Sequence, residues 1–136
     1  MIHWRESTQE GLDLLVQSGV NPLTPIHVHC HCDPNYELCI NIMQLFPNLK
    51  FGFTNVLTFY NASDLRGLVK KIPMNKILLE SDSPYFSIHG NPYATPADIK
   101  YLADAVAKLK DMNTIDVLNE NIKNSKAVYP LFWINK

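Results

Sequence analysis

Four times along this 136-residue chain a short apolar run is followed by a longer segment of helical periodicity. Few folds accept that order. The runs are Ile2-His3-Trp4, Ile26 to His29, the stretch beginning Phe51-Gly52-Phe53, and Lys76 to Glu80 with its Ile-Leu-Leu centre. Leu12, Leu15 and Val16 mark the apolar face of the first helix, Tyr36, Cys39, Ile40, Met43 and Phe46 that of the second, and Leu65, Leu68, Val69 and Ile72 that of the third. Ser7 and Glu10 have capping-box spacing, Asn61 or Ser63 is placed to cap the third helix, and Gly19, Pro47-Asn48 and Pro73 end the segments. Thr95-Pro96 opens a further helix with Ile99, Leu102, Ala103, Val106 and Leu109 inward. A final helix is predicted from about Thr114 to Val128, with a short apolar tail to Lys136. Strand–helix units with apolar strands predict an α/β fold: a parallel sheet covered by helices.

The chain is long enough for one domain with a real core, taken as residues 1–136. A net charge of −1 excludes a global basic field for nucleic acid, so any such contact depends on local groups such as Arg66 and Lys70-Lys71. No apolar run approaches the roughly 18 to 20 residues of a membrane span, and the N-terminus lacks signal-peptide shape. Three crowded cysteines, Cys30, Cys32 and Cys39, predict reduced thiols inside a cell, hence a cytoplasmic or nuclear protein without disulfides.

The run Ile26 to Asp33, IHVHCHCD, concentrates metal-ligating side chains. If extended, it sends His27, His29 and His31 to one face and Cys30 and Cys32 to the other, which disfavours a mixed Cys/His knot. Parallel sheets bind ligands at the carboxyl ends of their strands. His3 closes the first run, His29 and His31 the second, and Asp82 follows the fourth. Two neutral imidazoles and a carboxylate suit a first-row divalent ion or zinc with positions left open, an arrangement that can activate water. Glu80 shares the strand parity of Asp82 and is placed to orient a ligand. The bland alternatives are a hydrogen-bonded histidine at a strand end and a turn-forming aspartate before Ser-Pro.

The segment Leu78 to Phe86, LLESDSPYF, resembles the late-strand motif of the TatD family of metal-dependent deoxyribonucleases. Ile2 to Ser7 (IHWRES), Ile26 to Cys30 (IHVHC), Phe51 to Phe59 (FGFTNVLTF) and Lys70 to Pro84 fit that family in order and spacing, as does Asn124 followed by Val128 and Tyr129. The resemblance covers about Ile2 to Leu131 and implies a TIM-type (β/α) barrel that binds two divalent ions (magnesium, manganese or zinc) and cleaves phosphodiesters of DNA or RNA. It places His3, His29 and Asp82 as metal ligands, with Asp82 also handling a proton, and Glu80 as the carboxylate two residues earlier. His27 and His31 match no ligand position and are expected as bystanders or as supports behind the ligands. Asp33 stands where the family has Gly, which puts the loop over the site in question.

The family's opening His-x-His strand and its bridging Glu have no counterpart here, so the resemblance implies the last four β/α units plus a C-terminal helix. A complete barrel takes roughly 250 residues. Half a barrel leaves open edges. Three arrangements follow: part of a longer parent that supplies the missing half, a homodimer that rebuilds the core, or an open doubly wound sheet. Functionally, the chain is either the metal-binding half of a phosphodiester hydrolase or a catalytically incomplete module that self-associates through its edge.

Overall fold

Three strands, β1 (Ile26–Val28), β2 (Leu49–Phe53) and β3 (Ile77–Leu79), form a parallel sheet in the order β1–β2–β3. The structure, a computed structural model, describes residues 1–88 and 90–130. The tail after residue 130 therefore lies outside the described residues. Helices α1 (Thr8–Gln17), α2 (Tyr36–Leu45), α3 (Ser63–Lys71), α4 (Ile99–Lys110) and α5 (Thr114–Val128) follow the predicted order. Register pairs Ile26 with Leu49 and Val28 with Phe51, then Phe51 with Ile77 and Phe53 with Leu79.

The expected first strand is reduced to a single bridge. Ile2 N–H donates to His27 O at 2.8 Å and Ile2 O accepts from His29 N–H at 2.8 Å. The chain then turns at Glu6, whose φ is 55°, and cannot continue the ladder. That turn also replaces the predicted capping box. Ser7 makes no cap bond to the helix; its hydroxyl donates to Arg5 O at 3.2 Å. Nor does α3 gain a side-chain cap from Asn61 or Ser63. Gly19, at φ 65°, ends the α1 segment as expected.

The sheet has two unlike faces. Val28, Phe51, Phe53, Ile77 and Leu79 join one apolar core with Leu12, Cys39 and Ile42 of α1 and α2, Leu65, Leu68 and Val69 of α3, and Leu102 and Val106 of α4. Alternation puts His27, Lys50, Gly52 and Leu78 on the opposite face. In a closed barrel that second face would line the lumen.

The outer edge of β3 is not left bare. Even-numbered residues point their backbone groups at β2, as in Glu80 N–H to Phe53 O at 2.9 Å. The odd-numbered groups face away, and α5 takes them: Leu79 N–H donates to Asn121 Oδ1 at 2.9 Å, and Asn124 Nδ2 donates to Ile77 O at 2.8 Å and Met74 O at 2.9 Å. Two asparagine amides occupy positions that a fourth strand would use, which blunts the edge expected to be exposed. Among the described residues no helix is long and apolar enough to cross a membrane.

Candidate metal centre

Glu80 directly follows β3 at its carboxyl end and gathers the site around it. Its Oε1 pairs with His27 Nε2. Its Oε2 lies 2.6 Å from His29 Nδ1 and accepts the Cys30 N–H at 3.2 Å. Behind His27, the Tyr129 hydroxyl stands 2.6 Å from Nδ1. For neutral rings one assignment satisfies every contact: Tyr129 O–H donates to His27 Nδ1, His27 Nε2–H donates to Glu80, and His29 Nδ1–H donates to Glu80. Burial, reinforced by the Glu80 charge, raises the Tyr129 pKa and keeps its proton on oxygen.

Gly52 makes this cluster possible. A Cβ at that position would overlap Glu80 Oε1 and His27 Nε2, so only glycine leaves the Glu80–His27 contact where it is.

In that network His29 Nε2 carries a lone pair, and it faces Asp82 Oδ1 at 3.4 Å. A lone pair and a carboxylate at that separation are joined either by a proton on Nε2 or by a cation held between them. Two ligands about 2.1 Å from an ion at the tetrahedral angle stand about 3.4 Å apart, so the pair fits a shared zinc-sized cation. The bond from His29 Nδ1–H to Glu80 is the support that metal-ligating histidines commonly have, fixing tautomer and ring orientation. Asp82 itself sits at φ 45° and Cys30, next to His29, at φ 49°, both left-handed conformations of non-glycine residues.

His3 is exposed, its ring centroid 5.1 Å from that of His29. The structure thus brings His3, His29 and Asp82 to one rim. Among the described residues, however, no group of three His, Cys, Asp or Glu side chains forms a set that could hold an ion. The three share a cleft of about 840 Å³ with Arg5, Tyr85 and Phe86.

His31 departs from its expected direction. The positive φ at Cys30 breaks the extended run, so strand alternation stops applying after His29. His31 is buried with its ring 4.7 Å from Phe51 and its Nε2 3.4 Å from Cys39 Sγ, on the helix side of the sheet. Burial lowers its pKa from 6.5 to about 4. His27, by contrast, does lie behind Glu80. Asp33 is not among the positive-φ residues; its carboxylate accepts Asn35 N–H at 2.9 Å in the lead-in to α2. The local cations are also explained. Arg66 donates to Leu57 O at 3.1 Å, Phe59 O at 2.6 Å and Tyr60 O at 3.3 Å, while Lys70 and Lys71 end α3.

Sequence reasoning met Tyr129 only as part of the closing motif, with no role assigned, and did not find Asn121. Gly52 inside a strand was a readable signal of close approach. Nothing in the local pattern pairs residue 129 with residue 27.

Residues 1–130 match the TatD related DNase family. A human (Homo sapiens) 3′-5′ RNA nuclease is 33% identical over 136 residues, an alignment covering 96% of this chain and 18% of that protein. A Bacillus subtilis protein named as an uncharacterized metal-dependent hydrolase is 28% identical, covering 95% of this chain and 50% of its own length. Among solved structures, a TatD homologue of Escherichia coli superposes with a TM-score of 0.80 at 18% identity, covering 94% of this chain and 48% of that one. A TatD-family hydrolase of Entamoeba histolytica gives a TM-score of 0.75 at 18% identity, with 94% and 50% coverage. The fold is therefore part of a TIM-type barrel, and the chain spans about half the length of the Bacillus relative and of these solved structures.

Proposed function

The chain belongs to the TatD family of metal-dependent hydrolases, and from that premise we propose that it carries the metal-binding half of a nuclease site acting on phosphodiesters of DNA or RNA. The observation that carries the proposal is the chain of contacts from Tyr129 through His27 and Glu80 to His29, which leaves His29 Nε2 facing Asp82 at 3.4 Å. His29 and Asp82 are assigned one divalent ion, with His3 beside them toward an adjacent position. Zinc suits both donors, while magnesium and manganese favour the carboxylate and water. Bound there, the ion supplies Lewis acidity toward a phosphoryl oxygen and acidifies water.

The residues do the rest. Glu80 holds His29 in one tautomer, His27 holds Glu80, and Tyr129 holds His27. Asp82 presents its carboxylate to the cleft, where it can take a proton from the attacking water. Arg5 offers a guanidinium to a non-bridging phosphate oxygen in the same cleft. Among the described residues no three donors form a set that could hold an ion, so the remaining coordination is left to water and to groups beyond the described residues, including those of a longer parent or of a second copy.

A second reading rests on that same finding. A chain spanning half of its relatives, with two ligands converging, is a binding module that needs its counterpart to turn over. Hydrolysis of labelled single-stranded DNA and RNA with magnesium or manganese separates the two readings. Chelator-sensitive cleavage by the 136-residue chain, lost in Asp82→Asn with the fold intact, supports a self-sufficient site. Cleavage unchanged by Asp82→Asn rejects the assignment of Asp82. No cleavage, with metal-dependent binding retained, supports the module.

A further inference from the structure

Beside the cleft that holds His29 and Asp82 runs a second groove of about 900 Å³, between the loop after β2 and helix α4. The segment 85–88 divides the two: Tyr85 and Phe86 line the metal-side cleft, and Ser87 and Ile88 line the neighbouring groove. The aromatic surface continues across the divide. Phe86 meets Phe59 edge-to-face with ring centroids 6.5 Å apart, and Phe59 shares the groove with Tyr60 and Tyr101.

These rings are turned outward to a degree that core packing does not explain. Tyr60 is 95% exposed, Tyr85 68% and Tyr101 45%. Phe86 sits at φ 59°, a left-handed conformation that is costly for a bulky side chain, on the cleft side of the divide. Arg66 borders the groove with its guanidinium tied to three backbone carbonyls of the loop, which fixes the shape of the wall carrying Phe59 and Tyr60. Lys108, exposed on α4, adds a cation to the opposite wall, one turn beyond Asp104, whose carboxylate accepts the Thr114 hydroxyl at 2.6 Å.

A planar, apolar ligand with charges at intervals fits this surface. Aromatic side chains spaced along a groove, with a cation on its wall, suit unpaired bases, which stack regardless of sequence. A duplex hides its base faces and cannot use them. We propose that the groove is an extended subsite for single-stranded nucleic acid: a strand whose scissile phosphate lies at His29 and Asp82 continues over Tyr85 and Phe86 and stacks on Tyr60 and Tyr101. This inference rests on the nuclease reading of the cleft and adds to it a stacking surface outside the cleft and a length requirement.

The test compares labelled dithymidylate, octathymidylate, an abasic octamer and an eight-base-pair duplex, binding to the full chain in calcium. Wild-type protein is expected to bind the octamer at least about tenfold tighter than the dimer, the abasic strand or the duplex. Tyr60→Ala, at an almost fully exposed position, is expected to weaken octamer binding about fivefold or more and leave dimer binding unchanged, and Tyr60→Phe to restore it. Equal binding of dimer and octamer, equal binding of the abasic strand, or no effect of Tyr60→Ala would overturn the subsite, including the case in which a protein segment is the true occupant. Failure of the nuclease reading shows separately, as divalent-metal binding that is absent or unchanged by Asp82→Asn while octamer binding and its Tyr60 dependence persist. Loss of binding for every oligonucleotide would overturn both.

Discussion

The two faces of the sheet obey different rules. On the helix side, Phe51, Phe53, Ile77 and Leu79 meet apolar partners from four helices and complete a core within this chain. On the lumen side, His27, Glu80 and His29 bond to one another and stop at a cleft with two converging ligands. The first face is built for stability and is self-sufficient. The second places a carboxylate, two imidazoles and a glycine where a stable fold alone would prefer aliphatic side chains. Their difference locates function by its cost in packing.

The widest gap between the faces is expected from Phe51→Ala. Removing a fully buried ring from the helix side should destabilise by about 3 to 5 kcal/mol, read from urea unfolding. A loss under about 1 kcal/mol would mean that this face is not the core.

His31 gives the next largest effect and marks the boundary. Its pKa falls from 6.5 to about 4 on folding, so the unfolded chain binds more protons between those values. The stability of the neutral buried ring is present above pH 6.5 and is lost as pH drops toward 4, by about 2 to 3 kcal/mol. Urea midpoints of wild type and His31→Gln should diverge at neutral pH and converge in acid. Parallel profiles would show that His31 is solvated, on the wrong side of the sheet for the structure described.

On the lumen side the effects should fall on ligand binding. Glu80→Gln keeps the shape but weakens the acceptor that fixes His29, and should lower divalent-metal affinity about 10- to 100-fold by calorimetry. Unchanged affinity would detach Glu80 from the site. Gly52→Ala is expected to be the mildest, about 1 to 2 kcal/mol, because the Glu80 carboxylate can swing away from the new methyl group. That movement should still disconnect Glu80 from His29, visible as a change in the His29 ring resonances. A shift confined to residues near Gly52 would argue against the contact.

Much of this arrangement was legible beforehand, for identifiable reasons. Helical stripes such as Leu65, Leu68, Val69 and Ile72 repeat every third or fourth residue, so α3 and its packing face follow from periodicity. The rim position of His29 and Asp82 follows from the parallel-sheet rule. What failed were features set by a single backbone angle. One positive φ at Cys30 turned His31 from the lumen to the core, and another at Glu6 replaced the Ser7 cap with a bond to Arg5 O. Contacts made by side chains of low intrinsic signal were also missed. Tyr129 meets His27 across 102 positions, and Asn121 finds Leu79 across 42, through packing of α5 that no local pattern encodes. Asn124 was singled out by motif, yet its task, closing the β3 edge, emerged from the hydrogen bonds alone.

Electron paramagnetic resonance of free manganese, titrated against the chain at neutral pH, tests most directly whether His29 and Asp82 share an ion. The expected result is saturable binding to wild type, reversed by chelator and weakened at least about tenfold in Asp82→Asn with unfolding unchanged. Equal binding by wild type and Asp82→Asn, or none by either, would contradict it.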